Sequence, residues 1–138
     1  MTISTCPLKQ QTIAREASCA GIGVHSGKQA RLTIKPAPAN HGIRFVRTDL
    51  PGAPKIAALF NHVVDTSLAT VIGSEGCIVS TIEHLMSALS GLSIDNAIIE
   101  IDSYEMPIMD GSARPFFNLI ESAGIEEQEA PRCFFVIN

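Results

Sequence analysis

Glu83 and His84 are the adjacent pair in this chain best equipped for chemistry. An imidazole nitrogen can ligate Zn²⁺, and a neighbouring carboxylate can take a proton from metal-bound water. The pair falls at the start of a predicted helix, where a carboxylate or an incoming anionic group is favoured. No second histidine follows His84 four residues on, so the metalloprotease spacing H-E-x-x-H is not met. The same residues also read as a Ser80/Glu83 capping box followed by a histidine at the helix boundary. Asp110-Gly111-Ser112 precedes a second predicted helix and reads as its N-cap. Asp65-Thr66, after His62, is equally open to a structural or a functional reading. The histidines at 25, 41, 62 and 84 are followed four residues later by Gln29, Phe45, Thr66 and Ala88, so H-x-x-x-D is absent. GIGVHSGK, Gly21 to Lys28, fails as a phosphate loop. Five residues rather than four separate Gly21 from Gly27, and Gln29 follows the lysine. It reads as a glycine hairpin with His25 exposed.

These groups need a frame. Gln11 to Ala20 and Gln29 to Lys35 read as strands, the second from its strict alternation of polar and apolar residues. Ile43 to Arg47 is a further short strand. KIAAL and SLATVI, within 55–72, suggest two more, and Gly73-Ser74-Glu75-Gly76 a tight turn. From Ser80 to Leu92 the apolar residues Ile82, Leu85, Met86, Leu89 and Leu92 follow helical spacing, with Gly91 near the stop. NAIIEID, 96–102, reads as a buried strand. Ala113 to Ala123 reads as a second helix ended by Gly124, and Phe134 to Ile137 as the start of another strand. The order predicts an α+β fold: a two-layer sandwich of a mainly antiparallel sheet with two helices on one face, as a single domain over 1–138.

Composition narrows the function. Hydrophobic residues are 46% and charged residues 17%, which excludes a disordered chain. Ten basic against fourteen acidic residues leave a net charge of −4 with no Lys/Arg cluster, so a nucleic-acid partner is not expected. No apolar run approaches the roughly 18 residues of a membrane span, and MTISTCPLKQQTIARE lacks a secretory core. A cytoplasmic location is expected, with cysteines 6, 19, 77 and 133 reduced.

GIGVHSGK, VVDTSLAT, STIEHLMSALSGLSIDNAIIEI and PIMDGSARPF, in that order, resemble the N-terminal half of the UDP-3-O-acyl-N-acetylglucosamine deacetylases, the zinc amidohydrolases of lipid A biosynthesis. The resemblance runs from about Gln11 to Ile137. It implies two similar α+β domains with the active site between them, His84 as a zinc ligand and Glu83 as general base. It places Val24 and His25 on a hairpin at the mouth of the site and Ser67, Leu68 and Ala69 in a loop lining the cleft. Asp110 is expected to hold the fold rather than touch substrate. The substrate implied is UDP-3-O-acyl-N-acetylglucosamine, whose acetamide is hydrolysed. The remaining zinc ligands, in H-x-x-x-D, and the general-acid histidine belong to the family's second domain and are absent from this sequence. One histidine is an incomplete set for a catalytic Zn²⁺.

Three readings follow. The chain is the N-terminal domain of the deacetylase, inactive without its partner domain. Alternatively it is a stand-alone, non-catalytic binding or interaction module whose open apolar face drives self-association. In the third, two copies share a composite metal site that uses His25 or His62.

Overall fold

The computed structural model describes residues 2–137, with side chains from Leu8 onward. The alternation around residues 29–35 builds its centre. Ten strands and two helices follow one another as β1 (Thr2–Ile13), β2 (Ala17–Ile22), β3 (Gln29–Pro36), β4 (Ile43–Arg47), β5 (Lys55–Ala57), β6 (Val63–Asp65), β7 (Val71–Ser74), β8 (Cys77–Ser80), α1 (Glu83–Gly91), β9 (Ala97–Ile101), α2 (Arg114–Ala123) and β10 (Ile125–Val136).

The main sheet has the order β2-β3-β9-β4-β5, antiparallel except for the β4–β9 pair. Because successive side chains point to opposite faces, β3 turns Ala30, Leu32 and Ile34 inward and β9 turns Ala97, Ile99 and Ile101 inward, all at most 1% exposed. Phe45 and Ile56 extend the same layer. Leu85, Ala88 and Leu89 of α1 and Phe116 and Ile120 of α2 close over it, each set spaced at i, i+3 or i+4. This is the predicted α+β sandwich.

Two further sheets depart from the expected single one. β6-β7-β8 forms a three-stranded sheet whose Ile72, Cys77 and Val79 enter the same core. Its turn is Glu75-Gly76, both at positive φ, so Gly73 and Ser74 belong to β7 rather than to the turn. Residues 67–70 are loop, and Ser80, the expected helix start, is the last residue of β8. β1 and β10 pair antiparallel as a separate ribbon. β1 stops at Ile13, where Ala14 N–H donates to the Gly124 carbonyl, 2.8 Å, so Gln11 to Ala20 is two strands rather than one. β10 begins at Ile125, well before the expected Phe134.

Buried amides fasten the ribbon to the body. Asn96 donates to Gln10 Oε1 at 2.9 Å and to Gln128 Oε1 at 2.8 Å, while Gln128 donates to the Ala37 carbonyl at 2.8 Å. Among the described residues no helix is long and apolar enough to cross a membrane.

Candidate active site

The sequence around α1 is forced into an abrupt turn. Ser80 ends β8 and exchanges backbone bonds with the segment after β9: its N–H donates to Tyr104 O, 2.7 Å, and its carbonyl accepts from Met106 N–H, 3.0 Å. Thr81 then adopts φ +62° while 4% exposed, a left-handed conformation rare for a β-branched residue. That reversal aims the first turn of α1.

The predicted Ser80/Glu83 capping box does not form. The residue before the helix is Ile82, and no side chain caps it. Ser80 Oγ instead lies 3.3 Å from Thr81 Oγ1. The Thr70 peptide takes over the role. Its carbonyl accepts from Thr81 N–H at 3.0 Å and Ile82 N–H at 3.4 Å, and its own N–H donates to Glu83 Oε2 at 3.2 Å. The carboxylate is thus pinned by one oxygen, with no partner for Oε1 among the described residues. His84 follows at the edge of the buried stripe, half-buried, its ring without a hydrogen bond among the described residues.

The loop before Thr70 is held by bonds of its own. Ser67 N–H and Oγ–H both donate to Asp65 Oδ1, at 3.0 and 2.7 Å, and these bonds hold the Asp65 carboxyl below its ordinary value of 3.8. Leu68 is 81% exposed and Ala69 half-buried. The residue tied to the N-terminus of α1 is Thr70, the next in the chain after Ser67, Leu68 and Ala69.

Val24 and His25 stand exposed on the β2–β3 hairpin, as expected. Among the described residues no hydrogen bond joins either of them to Glu83 or His84. The link is the segment 104–108, which bonds Ser80 on one side and the hairpin on the other, where Ile108 N–H donates to Ile22 O at 3.0 Å. From this segment Glu105 reaches into the hairpin. Its Oε1 accepts from His25 N–H at 2.9 Å and Ser26 N–H at 3.2 Å, and its Oε2 lies 3.2 Å from His25 Nδ1. Sequence reading missed Glu105. The available signal was one carboxylate in the otherwise uncharged run Ser103 to Met109.

Asp110 accepts from Ser112 N–H and Oγ–H at 2.9 and 2.7 Å, which lowers its carboxyl pKa. Ser112 Oγ in turn accepts the Arg114 N–H, 3.2 Å, at the start of α2. The backbone cap of α2 is Ala113, not the expected Ser112 or Asp110.

No group of three His, Cys, Asp or Glu side chains that could hold a metal occurs among the described residues. His41 Nδ1 lies 3.0 Å from Gly42 O, His62 Nδ1 lies 2.8 Å from Ala57 O, and His25 faces Glu105. Among the described residues His84 is the one histidine left without such a tie. A catalytic zinc needs three protein ligands and an open position, and the donors among the described residues do not complete such a site.

The chain matches the model of the LpxC family, UDP-3-O-acyl N-acetylglycosamine deacetylase, over residues 10–138. Three curated relatives carry the name UDP-3-O-acyl-N-acetylglucosamine deacetylase. The Myxococcus xanthus protein is 56% identical over 93% of this chain and 41% of its own length. That of Chromohalobacter salexigens is 51% identical over 94% of this chain and 43% of its own length. That of Coxiella burnetii is 49% identical over the same shares, 94% and 43%. The chain spans about two-fifths of the length of these relatives.

Proposed function

We propose a function from one established premise: the chain belongs to the UDP-3-O-acyl N-acetylglycosamine deacetylase family. On that premise these residues are an N-terminal domain supplying half of an active site that hydrolyses the acetamide of UDP-3-O-acyl-N-acetylglucosamine, in lipid A biosynthesis. The observation that carries the reading is the α1 N-terminus, where Thr70 N–H holds one oxygen of Glu83 and leaves the other open beside an untied His84.

Glu83 is the general base. Its open oxygen takes the proton of the water that attacks the acetamide carbonyl. Acetate and a free amine are the products. His84 contributes one of the ligands of Zn²⁺, with the other donors coming from outside this chain. Bound there, zinc would supply Lewis acidity to the carbonyl oxygen. Val24, His25, Ser67, Leu68 and Ala69 line the substrate side.

The second domain is the partner of this surface. Phe60 is 91% exposed, and Val64 and Ile78 flank Gly73 on the outer face of the three-stranded sheet, an apolar surface suited to being covered. The same surface gives the second reading, a non-catalytic module that self-associates through it. The unpaired thiols of Cys19, Cys77 and Cys133 suit a reducing, cytoplasmic compartment.

The test uses the intact two-domain enzyme. Glu83→Ala should lower turnover by about 10²–10⁴-fold with zinc retained, and His84→Ala should lower zinc content. Zinc lost from Glu83→Ala and kept by His84→Ala would reverse the roles. Zinc-dependent deacetylation by these 138 residues alone would overturn the half-site.

A further inference from the structure

Glu105 is buried at 1% side-chain exposure against a histidine that is 41% exposed. Burying a carboxylate is costly unless its oxygens are satisfied. Here every bond to it comes from one place, the 23–28 hairpin. Besides the three contacts above, Oε2 lies 3.3 Å from His25 N and Oε1 lies 3.4 Å from Ser26 Oγ. Ser26 Oγ also accepts the Lys28 N–H at 3.1 Å, and Gly23 and Lys28 close the hairpin through Gly23 N–H to Lys28 O at 2.9 Å. Lys28, the hairpin's cation, lies over the Tyr104 ring at 5.4 Å rather than on the carboxylate. Gly23 completes the fit by being glycine: a Cβ there would fall inside contact distance of the Glu105 carboxylate and of Ser26 Oγ.

A glutamine at 105 could accept the two backbone N–H groups with its one oxygen. It could not at the same time accept a proton from the ring with a second oxygen. The charge is therefore specific to the imidazole. An ionised carboxylate only accepts hydrogen bonds, so the proton between Glu105 and the ring must sit on His25 Nδ1. Nε2 is then the free ring nitrogen on the exposed side.

We propose that Glu105 is a positioning residue of this site: it fixes the hairpin against the 104–108 segment and holds His25 as the Nδ1–H tautomer, so that Nε2 is offered to hydrogen-bond donors of an amino-sugar substrate. The placement is direct. The peptides flanking Glu105 bond Ser80, three residues before Glu83, while its side chain bonds His25. One carboxylate thus sets the hairpin relative to the catalytic helix. The inference rests on the reading of Glu83 and His84 as half of a deacetylase site.

Two measurements test it. Long-range ¹H–¹⁵N correlation spectra of the chain, above the titration of the ring, should show His25 protonated on Nδ1 in the wild type and shifted towards the Nε2–H tautomer in Glu105→Gln. An Nε2–H ring in the wild type would overturn the proposal without any variant having to fold. In the intact zinc-loaded enzyme, Glu105→Gln should lower kcat/KM by about 10- to 100-fold, the range seen on removing the partner that orients a metal-bound imidazole. Adding Glu105→Gln to His25→Ala should cost little more than His25→Ala alone. Losses that multiply in the double variant would make Glu105 a fold residue only. Glu83→Gln in the same assay separates the two failures. If it abolishes turnover while Glu105→Gln does not, the positioning role alone falls. If it leaves turnover intact, the reading of the site falls.

Discussion

The sandwich layer and the rim that carries the candidate site are held together by different forces. In the layer, β3, β4, β9, α1 and α2 interlock through side chains that alternate or repeat along one face, with Leu32, Ile34, Phe45, Leu89, Ile99 and Ile120 at 1% exposure or less. At the rim, apolar packing gives way to polar ties between segments remote in sequence. Thr70 N–H holds Glu83 across 13 residues, and Glu105 holds His25 across 80. The rim also stores backbone strain, at Thr81 and Met109, both left-handed and neither glycine. The layer sets where the helix lies, and the rim sets where its functional side chains point.

The strongest way to break that contrast is to remove one large ring from each region. Phe45→Ala opens a cavity beneath the main sheet and should cost about 3–5 kcal/mol. Phe60→Ala removes a ring that is 91% exposed and should change the stability of this chain by less than about 0.5 kcal/mol. Urea unfolding of the two variants measures both. Comparable losses would mean that the rim is packed as the layer is.

The same division explains what the sequence made legible. The alternation of QARLTIK and the helical stripe from Ile82 to Leu92 are one-dimensional records of burial on one face, and both recovered their elements to within a few residues. β6 has all three residues exposed, and β10 is exposed at nine of twelve positions with only Gln128, Ala130 and Arg132 half-buried, so neither carries an apolar alternation in its sequence, and neither was found at its true extent. The capping box failed because local spacing cannot register a remote peptide: Thr70 does what Ser80 was expected to do. Glu83 and His84 stood out as a pair, but their separation from the capping pattern came from family resemblance and not from spacing. Glu105 left no pattern, since its partners lie across a fold that one sequence does not encode locally.

A smaller effect sits where the two regions meet. Arg47 grips Asp49 with two bonds, 2.8 and 2.7 Å, and donates a third, 2.7 Å, to Ile78 O, tying the main sheet to the three-stranded sheet that leads into α1. The guanidinium holds the Asp49 carboxyl below its ordinary 3.8. A carboxyl with a depressed folded pKa stabilises the fold above its unfolded value, and that contribution is lost as pH falls through the folded one. Asp49→Asn should therefore cost about 1–2 kcal/mol at neutral pH. The two proteins should converge below pH 3.8. Thermal melts at neutral pH and at about pH 3 follow the gap. A gap that stays constant would assign the loss to shape and not to charge.

The smallest effect tests whether the layer can be improved without disturbing the rim. Gly91 lies at the stop, as expected, but not as its left-handed residue: it is the last helical residue of α1, exposed, and a Cβ there would meet nothing within 4 Å. The left-handed residue that ends the helix is Ser93, φ +56°. Its N–H donates to Ser90 O at 3.0 Å and Ile94 N–H donates to Leu89 O at 2.9 Å, the paired bonds of a Schellman end. Glycine suits that left-handed position and alanine suits the helical one, so the chain has them two places out of register. Ser93→Gly and Gly91→Ala should each stabilise by about 0.5–1 kcal/mol, additively, because each acts on its own backbone conformation. Both lie at the far end of α1 from Glu83, so the His25 tautomer and the turnover of the intact enzyme should not change. A stabilised variant with altered turnover would show that the end of the helix communicates with its beginning, and that layer and rim are one mechanical unit.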